Sequence, residues 1–244
     1  MIDFYRKENC RAFTYSRTGE NHILTGKDNQ DKVVFETMGD SWYMVIADGV
    51  SSATCAREGA QAAVWVVRRL CERVSDDKRL LDNIDAIKVY VVKSWKEQIR
   101  SDWDEYATTV NFAIYVDHIL LTGQIGDGLI VAEVDDNPLV LTENAGFYST
   151  ETYALGTAVK KCTFTIRAVE GEKRIRVYMA SDGIGKEINE ASRIELIEYL
   201  DNMMMNEDAV IEEELDAWVI GLGKKNGDDK SIGFVSWEEC LCRI

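Results

Sequence analysis

Four aspartates in this chain share one local setting: each adjoins a glycine and lies at the edge of an apolar run. They are Asp48 in Tyr43-Met44-Val45-Ile46-Ala47-Asp48-Gly49-Val50, Asp127 in Gly126-Asp127-Gly128, Asp182 in Tyr178-Met179-Ala180-Ser181-Asp182-Gly183, and Asp228 in Asn226-Gly227-Asp228-Asp229. A carboxylate placed where a buried strand runs out is costly unless it meets water, a turn amide or a cation. The neighbouring glycine lets the backbone approach closely and expose its carbonyl. A single Asp-Gly is most simply a turn, but four at separate strand ends can converge on one side of a sheet. Converged carboxylates repel and raise one another's pKa unless a divalent cation neutralises them. Oxygen-only donors select hard ions, Mg²⁺ or Mn²⁺, over zinc. With His22 and His118 the only histidines, a His-rich zinc site is nearly excluded. The dispersal of the aspartates excludes an EF-hand, and no Gly-Lys-Ser/Thr phosphate loop is present.

The elements that must position these residues follow from composition and period. Short runs rich in β-branched and aromatic residues, bounded by Gly or Asp, predict strands over 32–37, 42–47, 110–116, 119–123, 129–134, 162–168, 175–180 and 231–236. Apolar residues recurring at three and four predict a long helix from Ser52 to about Val74. Further helices are expected from Leu80 to Trp103, Ser192 to Met205 and Ala209 to Leu222, with Met203-Met204-Met205 as core filler. Consecutive strands between Val110 and Ala180 favour antiparallel pairing over βαβ alternation. The expected class is α+β, with helix pairs packed on an antiparallel core. One proline, Pro138, and no Gly/Ser-rich stretch leave nothing that reads as a linker, so residues 1–244 are taken as one domain.

Charge and cysteine usage exclude several functions. The net charge of -15 makes nucleic acid and bare anionic membrane poor partners. No apolar run approaches the roughly 20 residues of a membrane helix, and the N-terminus lacks a secretory pattern, so a cytoplasmic location is expected. Six scattered cysteines fit reduced, mostly buried thiols. Cys240-x-Cys242 could bind a soft metal or oxidise, but no second Cys/His pair completes a tetrahedral site.

Taken in order, the segments resemble the metal-dependent protein phosphatases of type 2C, in their small bacterial form. The resemblance is carried by Asn29-Gln30-Asp31, Ala47-Asp48-Gly49-Val50 before a helix, Ala107-Thr108-Thr109 before a strand, Ile125-Gly126-Asp127-Gly128, Ala180-Ser181-Asp182-Gly183 and Gly227-Asp228-Asp229-Lys230-Ser231. It spans about residues 14 to 236, and the stretch from Gly146 to Tyr153 also looks like one found in small bacterial members. The resemblance implies a four-layer αββα sandwich, two antiparallel sheets flanked by helix pairs, with two Mn²⁺ or Mg²⁺ ions at one end. It further implies that Asp48 bridges the two ions, and that the Gly49 carbonyl, Asp182 and Asp228 are direct ligands. Asp31 would act through metal-bound water, and Asp127 with Asp182 would serve a weaker third ion.

The implied activity is hydrolysis of phosphoserine or phosphothreonine in a phosphorylated protein, opposing a serine/threonine kinase in a signalling pathway. The alternative is a catalytically weak or inactive relative that binds a phosphoprotein or kinase; a small-metabolite phosphatase ranks below both. Three departures bear on the choice. Gly26 stands where members commonly carry a phosphate-binding arginine, with Lys27 or His22 as candidate substitutes for the phosphate or proton role. Gln30 replaces a common glutamate, and Val50 replaces a histidine found in eukaryotic members.

Overall fold

The computed structural model describes residues 1–7, 9–100, 102–142, 153–156, 164–223 and 226–239. Among the described residues, eleven strands form two antiparallel sheets. The six-stranded sheet contains β1 (Ile2–Lys7), β2 (Cys10–Arg17), β7 (Leu129–Val134), β8 (Asn137–Thr142), β10 (Arg174–Ala180) and β11 (Lys230–Glu238), in the order β1-β2-β11-β10-β7-β8. The five-stranded sheet contains β3 (Lys32–Met38), β4 (Ser41–Ala47), β5 (Val110–Val116), β6 (Ile119–Ile125) and β9 (Thr165–Glu170), in the order β3-β4-β5-β6-β9. The helices are α1 (Glu20–Thr25), α2 (Ala56–Asp76), α3 (Ile84–Ile99), α4 (Asp182–Gly185), α5 (Arg193–Met203) and α6 (Asp208–Gly223).

The apolar residues divide into three clusters, one between each pair of adjacent layers. β4 shows why: it is buried along its whole length, and successive side chains point to opposite faces. Trp42, Met44 and Ile46 pack between the sheets against Ile130, Val177 and Val235. Tyr43, Val45 and Ala47 face Ala63, Val67 and Leu70 of α2, with Val91 and Trp95 of α3 behind. On the far side Phe13, Val131, Tyr178 and Phe234 meet Ile197 and Leu200 of α5 and Ile211 and Leu215 of α6. The result is the expected four-layer αββα sandwich.

Differences from the sequence reading have local causes. The predicted helix 80–103 is divided: Asn83 caps α3 by accepting a hydrogen bond from the Ala86 amide, and 3₁₀ turns at Lys78–Asp82 and Trp103–Tyr106 flank it. α2 begins at Ala56 rather than Ser52, and β1, β2, β8, α1 and α4 are additional elements. The expected strand 162–168 is seen as β9 from Thr165; Cys162 lies outside the described residues, as do Cys240, Cys242 and residues 146–152.

α2 is held close to the Trp103–Tyr106 turn at Gly59. The Gly59 carbonyl accepts the Trp95 indole N–H at 3.0 Å, and a Cβ on Gly59 would overlap the Tyr106 carbonyl oxygen. Replacing a glycine inside a helix by alanine ordinarily stabilises by up to about 1 kcal/mol. Here overpacking reverses the sign, so Gly59→Ala is expected to destabilise by about 1–3 kcal/mol. Urea denaturation of both proteins measures this, and a rise in the midpoint would disprove the close approach.

Candidate metal centre

Strand register carries the aspartates to one end of the sandwich. Lys32 pairs with Ala47 across β3 and β4, which places Asp31 beside Asp48. Ala180 pairs with Leu129 on one side and Ile232 on the other, so Asp182 follows β10 where Asp127 precedes β7 and Asp228 precedes β11. Side chains spread over nearly 200 residues of chain thus meet because antiparallel strands start and stop together.

Backbone hydrogen bonds then fix each segment. The Asp48 carbonyl accepts from the Thr108 hydroxyl at 2.9 Å and the Thr109 amide at 2.8 Å, and the Asp48 amide donates to Thr109 Oγ1 at 3.2 Å. Gly49 pairs with Thr108 in an isolated bridge. The Ala107-Thr108-Thr109 segment therefore acts as a cradle for the Asp48 backbone. The Asp31 amide donates to Asn29 Oδ1 at 2.8 Å, an Asx turn that aims Asp31 inward.

Asp229, the neighbour of Asp228, proves to be a structural anchor. Its buried carboxylate accepts the Gly19 amide at 2.8 Å, the Gln30 amide at 2.6 Å and His22 Nδ1 at 2.9 Å. It thereby ties the entry to α1, α1 itself and the loop after it to the start of β11. Buried His22 has its Nδ1 committed to this anchor. On the other side a Cβ on Gly183 would overlap the Asp229 carbonyl oxygen, so α4 can approach only with glycine there. The buried Lys230 ammonium donates to the carbonyls of Asn226 and Asp228 at 2.7 and 2.8 Å, closing the loop that presents Asp228. Asp229 carried no distinguishing sequence signal beyond its adjacency to Asp228.

Gly26, at the position of the missing arginine, is the left-handed C-cap of α1 with φ 67° and ψ 24°. An arginine in that conformation would be strained. Lys27 is exposed. It lines a cleft of about 700 Å³ beside Asp31, together with Arg17, Lys32 and Arg57. Arg57 was not singled out from sequence; it sits in the first turn of α2, next to the Ala56 that packs against Gly49. Lys186 was missed as well: its Nζ lies 2.7 Å from both Asp127 Oδ2 and Asp182 Oδ2. Burial works to lower the Lys186 pKa, but its hydrogen bonds to the two carboxylates outweigh that and hold it above the ordinary lysine range.

The electrostatics are those of crowded acids. Burial, then the charges of Asp229 and Asp182, push Asp31 up to about 7, although the nearby Ser231 and Ser181 hydroxyls favour its ionised form. Asp48 keeps some contact with solvent, yet desolvation and the charges of Asp31, Asp182 and Asp228 hold its pKa well above the usual carboxylate range. Asp228 is raised by partial burial and by Asp182. Both oxygens of Asp31 and Oδ1 of Asp182 are buried with no hydrogen-bond partner of good geometry. Among the described residues no three carboxylate, imidazole or thiolate groups close around one point as a finished cage. The orphaned oxygens and the all-oxygen donor set nonetheless suit hard divalent cations.

The Asp31 carboxyl holds its proton more tightly in the folded chain than the ordinary value of about 3.9 allows unfolded. Stability from this group is therefore full below about pH 4 and is lost as pH rises through about 7. In chelator the melting temperature is expected to fall between about pH 5 and about pH 8, and a divalent cation should flatten that slope by favouring the ionised carboxylates. Asp31→Asn should remove much of the slope and melt higher than wild type at the alkaline end without metal. A flat metal-free profile in the wild type would refute this.

Comparison with known proteins agrees with this architecture. The magnesium complex of RsbX superposes with a TM-score of 0.60 at 12% identity, covering 98% of this chain and 100% of that one. The catalytic domain of the serine/threonine phosphatase PstP with two manganese ions gives 0.62 at 16% identity, covering 95% and 99%. The Mycobacterium tuberculosis phosphatase PstP/Ppp gives 0.65 at 17%, covering 95% and 100%. At these identities the likeness is one of fold. No curated protein matches the chain by sequence. The family model described as protein phosphatase 2C matches residues 18–219, which takes in Asp31, Asp48, Asp127 and Asp182, and the chain belongs to the protein phosphatase 2C family.

Proposed function

We propose that this chain is a metal-dependent phosphatase that removes phosphate from phosphoserine or phosphothreonine in proteins, acting in a bacterial cytoplasm against a serine/threonine kinase. One observation carries the reading: in a chain of this family, buried oxygens of Asp31 and Asp182 lack partners where the strand-end aspartates meet. Magnesium in RsbX and manganese in PstP support those two ions as the ones taken here. Asp48, Asp182, Asp228 and the Gly49 carbonyl would hold the two ions, and Asp31 would support them through bound water. Bound there, the ions supply a water of lowered pKa and Lewis acidity toward the phosphoryl oxygens.

The chain's own residues supply position and charge. Thr108 and Thr109 hold Asp48 against the repulsion of its neighbours, and Asp229 holds the loop that carries Asp228. The cleft beside Asp31 places Arg17, Lys27, Lys32 and Arg57 among Asp3 and Asp28 on a chain of net charge -15, and these cations offer an anionic phosphopeptide a landing point next to the centre. Arg57 is paired with Asp28 at 2.6 Å, but both side chains are exposed, so the guanidinium can turn to a phosphate at little cost. In this reading Arg57 and Lys27 take over from the arginine absent at Gly26. With His22 Nδ1 held by Asp229, the leaving hydroxyl takes its proton from solvent water or from the other ring nitrogen of His22. Among the described residues no helix is long and apolar enough to cross a membrane.

Hydrolysis of a phosphothreonine peptide with Mn²⁺, Mg²⁺ or chelator tests this directly. Activity is expected only with metal, and Asp48→Asn should lower it by on the order of 100-fold or more, equivalent to about 2.7 kcal/mol of barrier. Mn²⁺ binding without phosphate release from several phosphopeptides would instead make the chain a phosphoprotein- or kinase-binding module. Arg57→Ala is expected to raise KM about 3- to 10-fold with a smaller change in kcat, the mark of lost ground-state binding. An unchanged KM would remove Arg57 from substrate recognition.

A further inference from the structure

Asp127 and Asp182 face each other across the edge of the centre, and the space between them is filled. The Lys186 ammonium donates to Oδ2 of each at 2.7 Å. The two carboxylates are enclosed, with side chains 18% and 16% exposed, whereas Lys186 reaches them from solvent with its side chain 54% exposed. The backbone fixes this approach. Lys186 directly follows α4, its amide donates to the Asp182 carbonyl at 3.2 Å, and the i, i+4 spacing puts its side chain over Asp182. Asp127 reaches the same point from the loop before β7.

Two enclosed carboxylates that converge on one point need a positive partner there. A divalent ion and an ammonium are competing solutions, because an ion such as Mg²⁺ would sit about 2.0–2.1 Å from the same oxygens and cannot share the space with Nζ. We propose that Lys186 is the resident cation of the Asp127–Asp182 pair, so that this chain takes no third metal ion there. The lysine is a positioning residue. It holds one oxygen of Asp182 from the outer side and leaves Oδ1, buried and without a partner, for the centre that Asp182 shares with Asp48. A covalently tethered charge does not dissociate at low metal concentration. Asp182 is therefore aligned before any ion binds, and the metal requirement of the protein is that of the two inner positions alone.

This inference deepens the two-metal reading and rests on it, and counting bound ions separates the two. The wild type, Lys186→Ala, Lys186→Met and the double variant Lys186→Ala/Asp127→Asn are titrated with Mn²⁺, reading free ion by electron paramagnetic resonance and heat by calorimetry. Lys186→Met keeps the stem and removes the charge, and each variant is scored only if it unfolds cooperatively. Lys186→Ala and Lys186→Met are expected to bind one more Mn²⁺ than the wild type, more weakly than the others, and the double variant should return to the wild-type count. In chelator the single variants should melt below the wild type, and saturating Mn²⁺ should raise their melting temperature by more than it raises that of the wild type. Equal counts in wild type and single variants would overturn the proposal, whether because metal displaces the lysine or because no site opens. A wild type that binds no Mn²⁺ would instead refute the two-metal reading, and an extra ion in the variants would still stand as evidence for Lys186.

Discussion

Asp31, Asp48, Asp182 and Asp228 reach one place because antiparallel registers end there, and the same registers prevent them from moving apart when their charges repel. Ala47 cannot withdraw without breaking its pairing to Lys32, nor Ala180 without breaking those to Leu129 and Ile232. Burial first, and then this repulsion, therefore appear as raised pKa values of Asp31, Asp48 and Asp228 rather than as displaced loops. A scaffold that carried these residues on mobile loops would relax and lose its affinity for cations. The three apolar clusters, by holding the two sheets together and each sheet against its helices, are what give the centre its field.

Neutralisation within that field takes three forms. Asp229 is satisfied entirely by protein donors: two backbone amides and an imidazole nitrogen. Asp127 and one oxygen of Asp182 share a lysine. Asp31 and the other oxygen of Asp182 have no such partner. The order runs from anchor to edge to centre, and only the last group is left with a need that a dissociable cation can meet. Repulsion thus sorts superficially similar aspartates into structural and functional ones, a distinction invisible in the Asp228-Asp229 dipeptide.

The sandwich was legible where burial and period speak together. β5 and β7 appear with the predicted bounds, and β4, β10 and β11 differ by one or two residues at an end. β1 escaped because it is a charged edge strand with little burial, and β8 because it carries Pro138, which an edge strand tolerates and a central one does not. α1 has six residues and buries only His22, too little to leave a period. The aspartates of the centre were legible for a different reason: an acidic residue after an apolar run is a conflict that a fold must resolve. Lys186, Arg57 and the anchoring role of Asp229 carry no such conflict. A lysine four residues after an aspartate is ordinary, and its meaning arises only when Asp127 arrives from another strand.

At Gly26 a local backbone requirement limits which side chain the position can carry. α1 is closed by a left-handed turn whose amides satisfy the carbonyls of His22 and Ile23, and that turn sets the path by which Gln30 reaches Asp229 and Asp31 enters the centre. A side chain that bound phosphate from this position would have to strain the turn that aligns a neighbouring ligand. The wall of the adjoining cleft is free of that conflict. Arg57 projects from the first turn of α2, whose place is already fixed by Ala56 against Gly49, and Lys27 lies one residue beyond the constrained cap. Under the proposed function, cationic side chains on these elements can approach an anion beside Asp31 without disturbing the geometry of the acids, a freedom that the cap lacks.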